Sequence, residues 1–475
     1  MRFVKRTGRI RRRLLSCLAS IVFIQVIVNA KDIPSAKAGW AEVEITPPLG
    51  IALGGRGGPI TAAKKVLDPL FAQVLYLQDQ KGTGFVLISL DVVGMAHDLS
   101  DRIRTAVVSE LGVEFNLVVL NCSHTHSGPY MIRDLMAGVG PAPEVEVDYF
   151  KTLTEKIISA SRIAKTNLKP VTVETFQGKS QIAINRRGKN KLGKSAMLPN
   201  AKGPINEDIW VLKLTPLTGS EPAIVFSYAC HPVIVYGYAI AAISADFPGE
   251  TRIALRGALG SSAHVQFVQG TAGNVRPRIV ADLENNRFRP SKPEDVKAVG
   301  SQLAGDILGA LEGKGRKLTL NLAGAADRPF FPRGERPPRE VYEYMAQEKG
   351  EYRPAAAAYW LKNYDSGNGF AKGDPWPVGL VRLGNDQWVC LLGGEPCVEW
   401  APKIRSWLGG RNVVTWGYCQ EGRTYLPTEA LLPEGGYEVD ECNYTRANTP
   451  ARFAPGIEEA LRRSLKKQAA FIDAR

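Results

Sequence analysis

The chain has 475 residues, a formal net charge of +13, 44% hydrophobic and 23% charged residues. This is globular composition, and with a slightly negative mean hydropathy it excludes collagen-like, coiled-coil, largely disordered and polytopic membrane chains. Residues 1–38 hold nine Lys/Arg and one acid, so only +5 remains for the rest; with no dense basic run or groove-reading motif there, nucleic acid is not an expected partner. In chain order, seven Lys/Arg between Arg2 and Arg13 precede an apolar stretch over 14–28 and then Val28-Asn29-Ala30. A basic start, a short apolar middle and a small-residue exit describe a signal peptide over 1–30. The protein is expected to be exported, to a periplasm or the medium, with an N-terminal membrane anchor if the signal stays uncleaved.

Beyond the signal, strands are predicted over 73–78 and 84–91, joined by a Lys81-Gly82 turn. A helix follows over 99–111, with Leu99, Ile103, Val107 and Leu111 on one face. Further strands are predicted over 116–121, 171–176, 209–214, 223–229, 378–383 and 388–393, and helices over 147–165, 294–311 and 457–471. The alternation predicts an α/β fold, α+β being the neighbouring class, with mixed sheets covered by helices in one catalytic domain over 39–475. The Pro/Gly-rich stretch 329–338 reads as a surface excursion. Six cysteines remain after the signal. Cys122 and Cys230, in apolar strands, read as buried small hydrophobes, and Cys419–Cys442 is the favoured disulfide.

Chemistry concentrates where apolar strands end. Val118–Leu120 runs into Asn121-Cys122-Ser123-His124-Thr125-His126-Ser127-Gly128-Pro129, placing two of the chain's five histidines in one turn. Such a pair suits a metal or acid/base site; two hydrogen-bonded loop histidines are the equal alternative. A second strand, 223–229, delivers His231 in the same way. His97 and His264 lack this setting and read as structural or surface groups.

Taken together, these segments resemble the catalytic domain of the neutral/alkaline (non-lysosomal) ceramidase family. His124-Thr125-His126-Ser127-Gly128-Pro129 matches the family's most specific motif. Glu44-Ile45-Thr46-Pro47-Pro48, Asp68-Pro69-Leu70, the strand ending in Asp91, Asn185-Arg186 and Ser244-Ala245-Asp246-Phe247-Pro248-Gly249 add weaker matches over roughly 39–445. The resemblance implies that His124, His231, Glu395 and Tyr425 bind one Zn²⁺, and that His126, Arg186 and Tyr437 serve catalysis. It implies hydrolysis of an amide by zinc-activated water, with His126 moving a proton and Arg186 donating to developing negative charge. Read without it, Glu395 is a carboxylate at a helix start, Tyr425 a core phenol and Arg186 part of a basic loop with Arg187 and Lys189. Asp246 either orients His231 or forms a turn.

The resemblance breaks at one place. Where the family carries Gly-Asp-x-Ser-Pro-Asn, this chain has Gly273-Asn274-Val275-Arg276-Pro277-Arg278. A guanidinium cannot attack a carbonyl, so a serine-based mechanism does not carry over. Arg276 and Arg278 either recognise an anionic substrate group or pair with acids and shape a loop. The residues after Tyr425 read as turns and one helix, so no counterpart of the family's C-terminal β-sandwich is expected. The expectation is thus an exported zinc-dependent hydrolase of a ceramide-like or other N-acyl amide, with transient contact to a membrane surface. The alternatives are a non-catalytic anion- or lipid-binding protein on a degenerate hydrolase scaffold, or a metal-dependent esterase or phosphatase.

Overall fold

The structure is a computed structural model that describes residues 36–55, 61–219, 221–350, 352–366 and 370–475. The signal peptide expected over 1–30 lies outside the described residues. Among the described residues, no helix is long and apolar enough to cross a membrane.

The larger sheet is built from β1 (Lys37–Glu44), β2 (Phe71–Gln78), β3 (Gly84–Leu90), β4 (Val118–Cys122), β5 (Lys169–Lys179), β6 (Asp208–Pro216), β7 (Ala223–Tyr228) and β8 (His264–Gln269). Its order is β8-β7-β6-β5-β1-β2-β3-β4, with Arg316–Lys317 pairing on β5. Only the outermost pairs are parallel: β3 with β4, Val86 opposite Val118, and β7 with β8, Ala223 opposite His264. Parallel neighbours need a crossover, supplied by helices α1 (His97–Leu111) and α3 (Asp246–Leu259). Two longer helices, α2 (Glu144–Thr166) and α4 (Pro293–Glu312), join them on one face. The sheet curls until its edges meet: Gln269 on β8 donates its backbone N–H to Asn121 Oδ1 on β4 at 2.8 Å.

A second sheet has the order β9-β10-β11-β12, from β9 (Leu320–Asp327), β10 (Val378–Gly384), β11 (Gln387–Leu392) and β12 (Asn412–Trp416). β11 and β12 are parallel and joined through α5 (Trp400–Trp407). Three cores follow from this layering. One lies between the larger sheet and its helices, where Leu99, Ile103, Val107 and Leu111 of α1 are buried as their spacing predicts. The second lies between the sheets, around Leu75, Val119, Trp210, Val389 and Trp416. The third packs the outer face of the second sheet against α5 and the closing helix α6 (Ile457–Asp473). Each fully buried aliphatic or aromatic side chain contributes about 1.5–3 kcal/mol of transfer free energy. The architecture is therefore α/β, helix–sheet–sheet–helix, with mixed sheets covered by helices as the sequence predicts.

Two expectations are corrected. The stretch 329–338 is not a mere surface excursion: Phe330–Pro332 pairs with Gly373–Pro375, Phe331 is fully buried, and the buried Arg333 holds Asp374 at 2.7 Å. The Cys419–Cys442 disulfide does not form. All six described cysteines are unpaired and buried, and Cys442 Sγ accepts instead from Thr424 Oγ1.

Candidate metal centre

The candidate centre lies beyond the carboxyl ends of β4, β7 and β11, each a member of a parallel pair. In open parallel sheets these ends are where connections splay and ligands bind. β4 is buried throughout and cannot continue through His124, whose φ of 67° is left-handed. That conformation costs a non-glycine residue about 1 kcal/mol or more, and it is held by Ser123 N–H on Leu90 O and His124 N–H on Val92 O. The kink turns both histidines to one side, with ring centroids 4.9 Å apart. His231 follows β7 and is fully buried. After β11 the chain turns at Gly394, φ 68°; a Cβ there would lie 2.5 Å from the Trp376 ring and 2.7 Å from Thr424 O. This turn sets Glu395-Pro396 in parallel pairing with Tyr425-Leu426, so the register itself puts Glu395 beside Tyr425.

The donor atoms converge. Glu395 Oε2 is 3.1 Å from His124 Nε2 and 3.3 Å from His231 Nε2. Tyr425 OH is 3.4 Å from His231 Nε2, and His126 Nε2 is 3.2 Å from His124 Nε2. The far side of each ring explains why this cluster fits a cation. His124 Nδ1 faces Val93 O at 2.6 Å and His231 Nδ1 faces Ala272 O at 2.7 Å. A carbonyl only accepts, so both Nδ1 atoms carry the proton and both Nε2 atoms present lone pairs. Two lone-pair nitrogens and a carboxylate oxygen thus face one another in a buried space, an arrangement a divalent cation relieves. The carbonyls orient the rings in the manner of outer-shell partners at metal sites. His124, His126 and His231 form a cluster with metal-binding geometry, their candidate donor nitrogens all within 4.8 Å of one another; His126, expected to serve proton transfer, is near enough to ligate too.

The electrostatics favour neutral imidazoles at His126 and His231. Burial pushes His231 down to about 3, and burial with the neighbouring imidazoles drives His126 well below its ordinary value. Burial raises the Tyr425 phenol, and the charge of Arg186 opposes it.

The centre forms one end of a cavity of about 170 Å³. His124, His126, Glu395, Tyr425 and Tyr437 line it, with an apolar wall including Leu53, Val93, Ile132 and Met136. Of the residues singled out from sequence, His124, His126, His231, Glu395, Tyr425 and Tyr437 come together; the Tyr425 and Tyr437 ring centroids are 5.4 Å apart. Arg186 is placed differently from the substrate-contacting group expected. It is buried, its Nε donates to Glu438 Oε1 at 2.8 Å, and its guanidinium lies 5.2 Å from the Tyr425 ring centroid and 5.9 Å from that of Tyr437. Asp246 is the turn former: its carboxylate accepts from Val235 N–H and Phe247 N–H, while His231 Nδ1 is taken by Ala272. Asn274 is fully buried and bridges Glu399 and Val398 N–H. Arg276 lies over the Phe288 ring at 4.3 Å and Arg278 is exposed; neither is among the described residues lining the cavity.

Sequence reasoning missed Tyr418, buried at φ 53° with its ring centroid 4.4 Å from that of His124. It also missed the amides that fasten the strand ends. Gln269 Nε2 donates to Ser123 O and Cys230 O, and Asn121 Nδ2 donates to Gly417 O. Their only signal is a polar residue at or next to the end of each of two strands.

No protein-family model matches the sequence. In structure the chain is similar to a ceramidase solved in complex with C2, with TM-score 0.67 and 15% identity, covering 94% of this chain and 76% of that one. It is also similar to the neutral ceramidase from Pseudomonas aeruginosa, with TM-score 0.66 and 16% identity, covering 93% and 75%. The fold is therefore ceramidase-like. Within it, the chain carries a buried histidine cluster able to hold a metal ion.

Proposed function

We propose that the protein is an exported, zinc-dependent hydrolase that cleaves an amide bond in a ceramide-like or other N-acyl substrate. One observation carries the reading: lone-pair nitrogens of His124 and His231 face the Glu395 carboxylate at 3.1 and 3.3 Å at one end of a cavity with an apolar wall. Nitrogen, carboxylate and phenol donors suit zinc. His124, His231, Glu395 and Tyr425 would hold it. When bound, it supplies Lewis acidity and makes water acidic enough to attack near neutral pH.

The chain's own groups then divide the work. His126, neutral and lining the cavity, accepts a proton at Nε2 and returns it to the leaving nitrogen. Tyr437, kept protonated by burial, donates to the oxygen on which negative charge develops. Arg186, fixed by Glu438, acts through Tyr425: its positive charge favours negative charge on that phenol. The apolar wall takes up the acyl chain and excludes water. Export and transient contact with a membrane surface are proposed from the N-terminal pattern and an apolar acyl substrate. The test is purification of the protein, metal analysis and turnover of N-acyl amides beside ester and phosphate panels. Stoichiometric zinc with amide turnover lost in His124→Ala supports the reading; full activity without zinc overturns it. Turnover of esters or phosphates in place of amides would assign the same centre to that chemistry.

A further inference from the structure

Among the described residues three arginines line the cavity: Arg353, Arg423 and Arg446. Two are neutralised. Arg353 grips both carboxylate oxygens of Glu348, at 2.6 and 3.0 Å. Arg423 is held by Glu421, with Asp374 3.9 Å away. Arg446 differs. Among the described residues no carboxylate pairs with it. Nη1 reaches only the Met136 sulfur at 3.3 Å, a weak acceptor, and Nη2 reaches Arg423 O at 3.4 Å. Its Nε is buried with no hydrogen-bond partner. Glu441, another acid of the lining, is exposed and makes no ion pair with Arg446. Leaving a guanidinium partly desolvated and unpaired costs free energy. A bound anion would recover it.

We propose that the substrate carries a carboxylate on the amine side of its amide, and that Arg446 binds that carboxylate. This rests on the amidohydrolase reading and narrows it. The class is an N-acyl amino acid: an apolar acyl group for Leu53, Val93 and Ile132, an amide at the histidines and an acid for the guanidinium. Hydrolysis breaks the carbonyl C–N bond, joins a water oxygen to the carbonyl carbon and sends a proton to nitrogen. The products are a fatty acid and a free amino acid. Arg446 also reaches the reacting end electrostatically, because Tyr437 and Cys442 both feel its charge.

The experiment uses the zinc-loaded full chain and two probes differing only at the head, N-lauroylglycine and N-lauroylethanolamine. A charged hydrogen bond in a partly desolvated site predicts a kcat/KM about 10-fold or more in favour of the glycine conjugate. Arg446→Met should collapse that ratio toward one, mainly through KM. Arg446→Lys, which keeps the charge, should restore part of it. Equal use of the two probes by the unmodified protein, or a ratio surviving Arg446→Met, overturns the proposal. Calorimetric binding of the same probes separates this from failure of the hydrolase reading. If neither is turned over, tighter binding of lauroylglycine that Arg446→Met abolishes upholds the anion site, and equal binding sinks it.

Discussion

Two buried polar groupings near strand ends of one sheet are built on opposite principles. Where β3 ends, Asp91 meets Arg252 of α3 through two bonds, 2.8 and 2.6 Å, and Phe71 N–H fills a further acceptor position. Donors face acceptors and the charges cancel. Where β4 and β7 end, acceptors face acceptors: His124 Nε2, His231 Nε2 and Glu395 Oε2 share a space while each Nδ1 is committed to a carbonyl. The first is complete as protein. The second lacks a positive charge that a bound cation would supply, and the left-handed backbone at His124 and Tyr418 is strain the fold accepts in building it. Burial of polar atoms alone therefore does not mark the functional site; mismatched donor and acceptor character does.

The contrast breaks most visibly at the mismatched grouping. His124→Ala removes a lone pair and should bring zinc below stoichiometric, measured by inductively coupled plasma mass spectrometry. Turnover should fall by more than the about 10–100-fold typical of losing an outer-shell partner. His126→Ala should lower kcat by about 10²–10⁴-fold while zinc stays bound, which separates a proton-transfer group from a ligand. If His126→Ala instead empties the site, the three imidazoles together are the donor set.

The matched grouping predicts a different signature. Arg252→Met strands a buried carboxylate and should cost about 3–5 kcal/mol in urea unfolding. Adding Asp91→Leu should return most of that, because replacing both partners by apolar groups is often nearly neutral. No such rescue exists for the histidine cluster. A double variant as unstable as the single one would mean that Asp91 serves more than its ion pair.

The difference between the groupings also explains what the sequence disclosed. The strands observed over 84–90 and 118–122, predicted over 84–91 and 116–121, were legible because each is mostly apolar, with Ser89 and Asn121 the polar interruptions, and α1 because its apolar residues recur every four. His124, His126 and His231 were legible because each closes such a run. Glu395 and Tyr425 came only through family resemblance: their meeting depends on the parallel pairing of residues 395–396 with 425–426, which no local pattern announces. Tyr418 and Arg446 had no signal at all, since what distinguishes them is a distant neighbour or its absence. The helix Tyr352–Tyr364 escaped because its Ala run carries little amphipathic contrast.

A third, smaller grouping sharpens the comparison through pH. Glu421 is buried between Arg328 and Arg423. Burial would raise its carboxyl, but the two guanidiniums bring it down to about 2 from 4.5. The folded carboxyl thus holds its proton less tightly than the unfolded one. Its stabilisation is fully present above about pH 4.5 and is lost as pH falls toward 2. The full difference amounts to about 3 kcal/mol. Urea midpoints of the unmodified protein and Glu421→Gln should converge between pH 5 and pH 3; a constant gap would show that the charge is not what holds this cluster.

The smallest effect concerns the segment where the family motif is lost. Arg276 rests on the Phe288 ring, its Nε is buried without a partner, and burial with the repulsion of Arg186 pushes it down to about 10. A cation over an aromatic face contributes about 0.5–2 kcal/mol, and relief of repulsion with Arg186 offsets part of that on removal. Arg276→Met, which keeps the stem on the ring, should therefore shift stability by no more than about 1 kcal/mol. Because Arg276 is outside the cavity lining, kcat/KM should change by less than the about tenfold that one charged hydrogen bond to substrate would give. A tenfold or greater loss confined to anionic substrates would move Arg276 into the recognition machinery and make the altered motif a specificity element. A small, substrate-independent change would leave it a structural replacement, built like the Asp91 grouping to be complete within the protein and not like the histidines to receive something from outside.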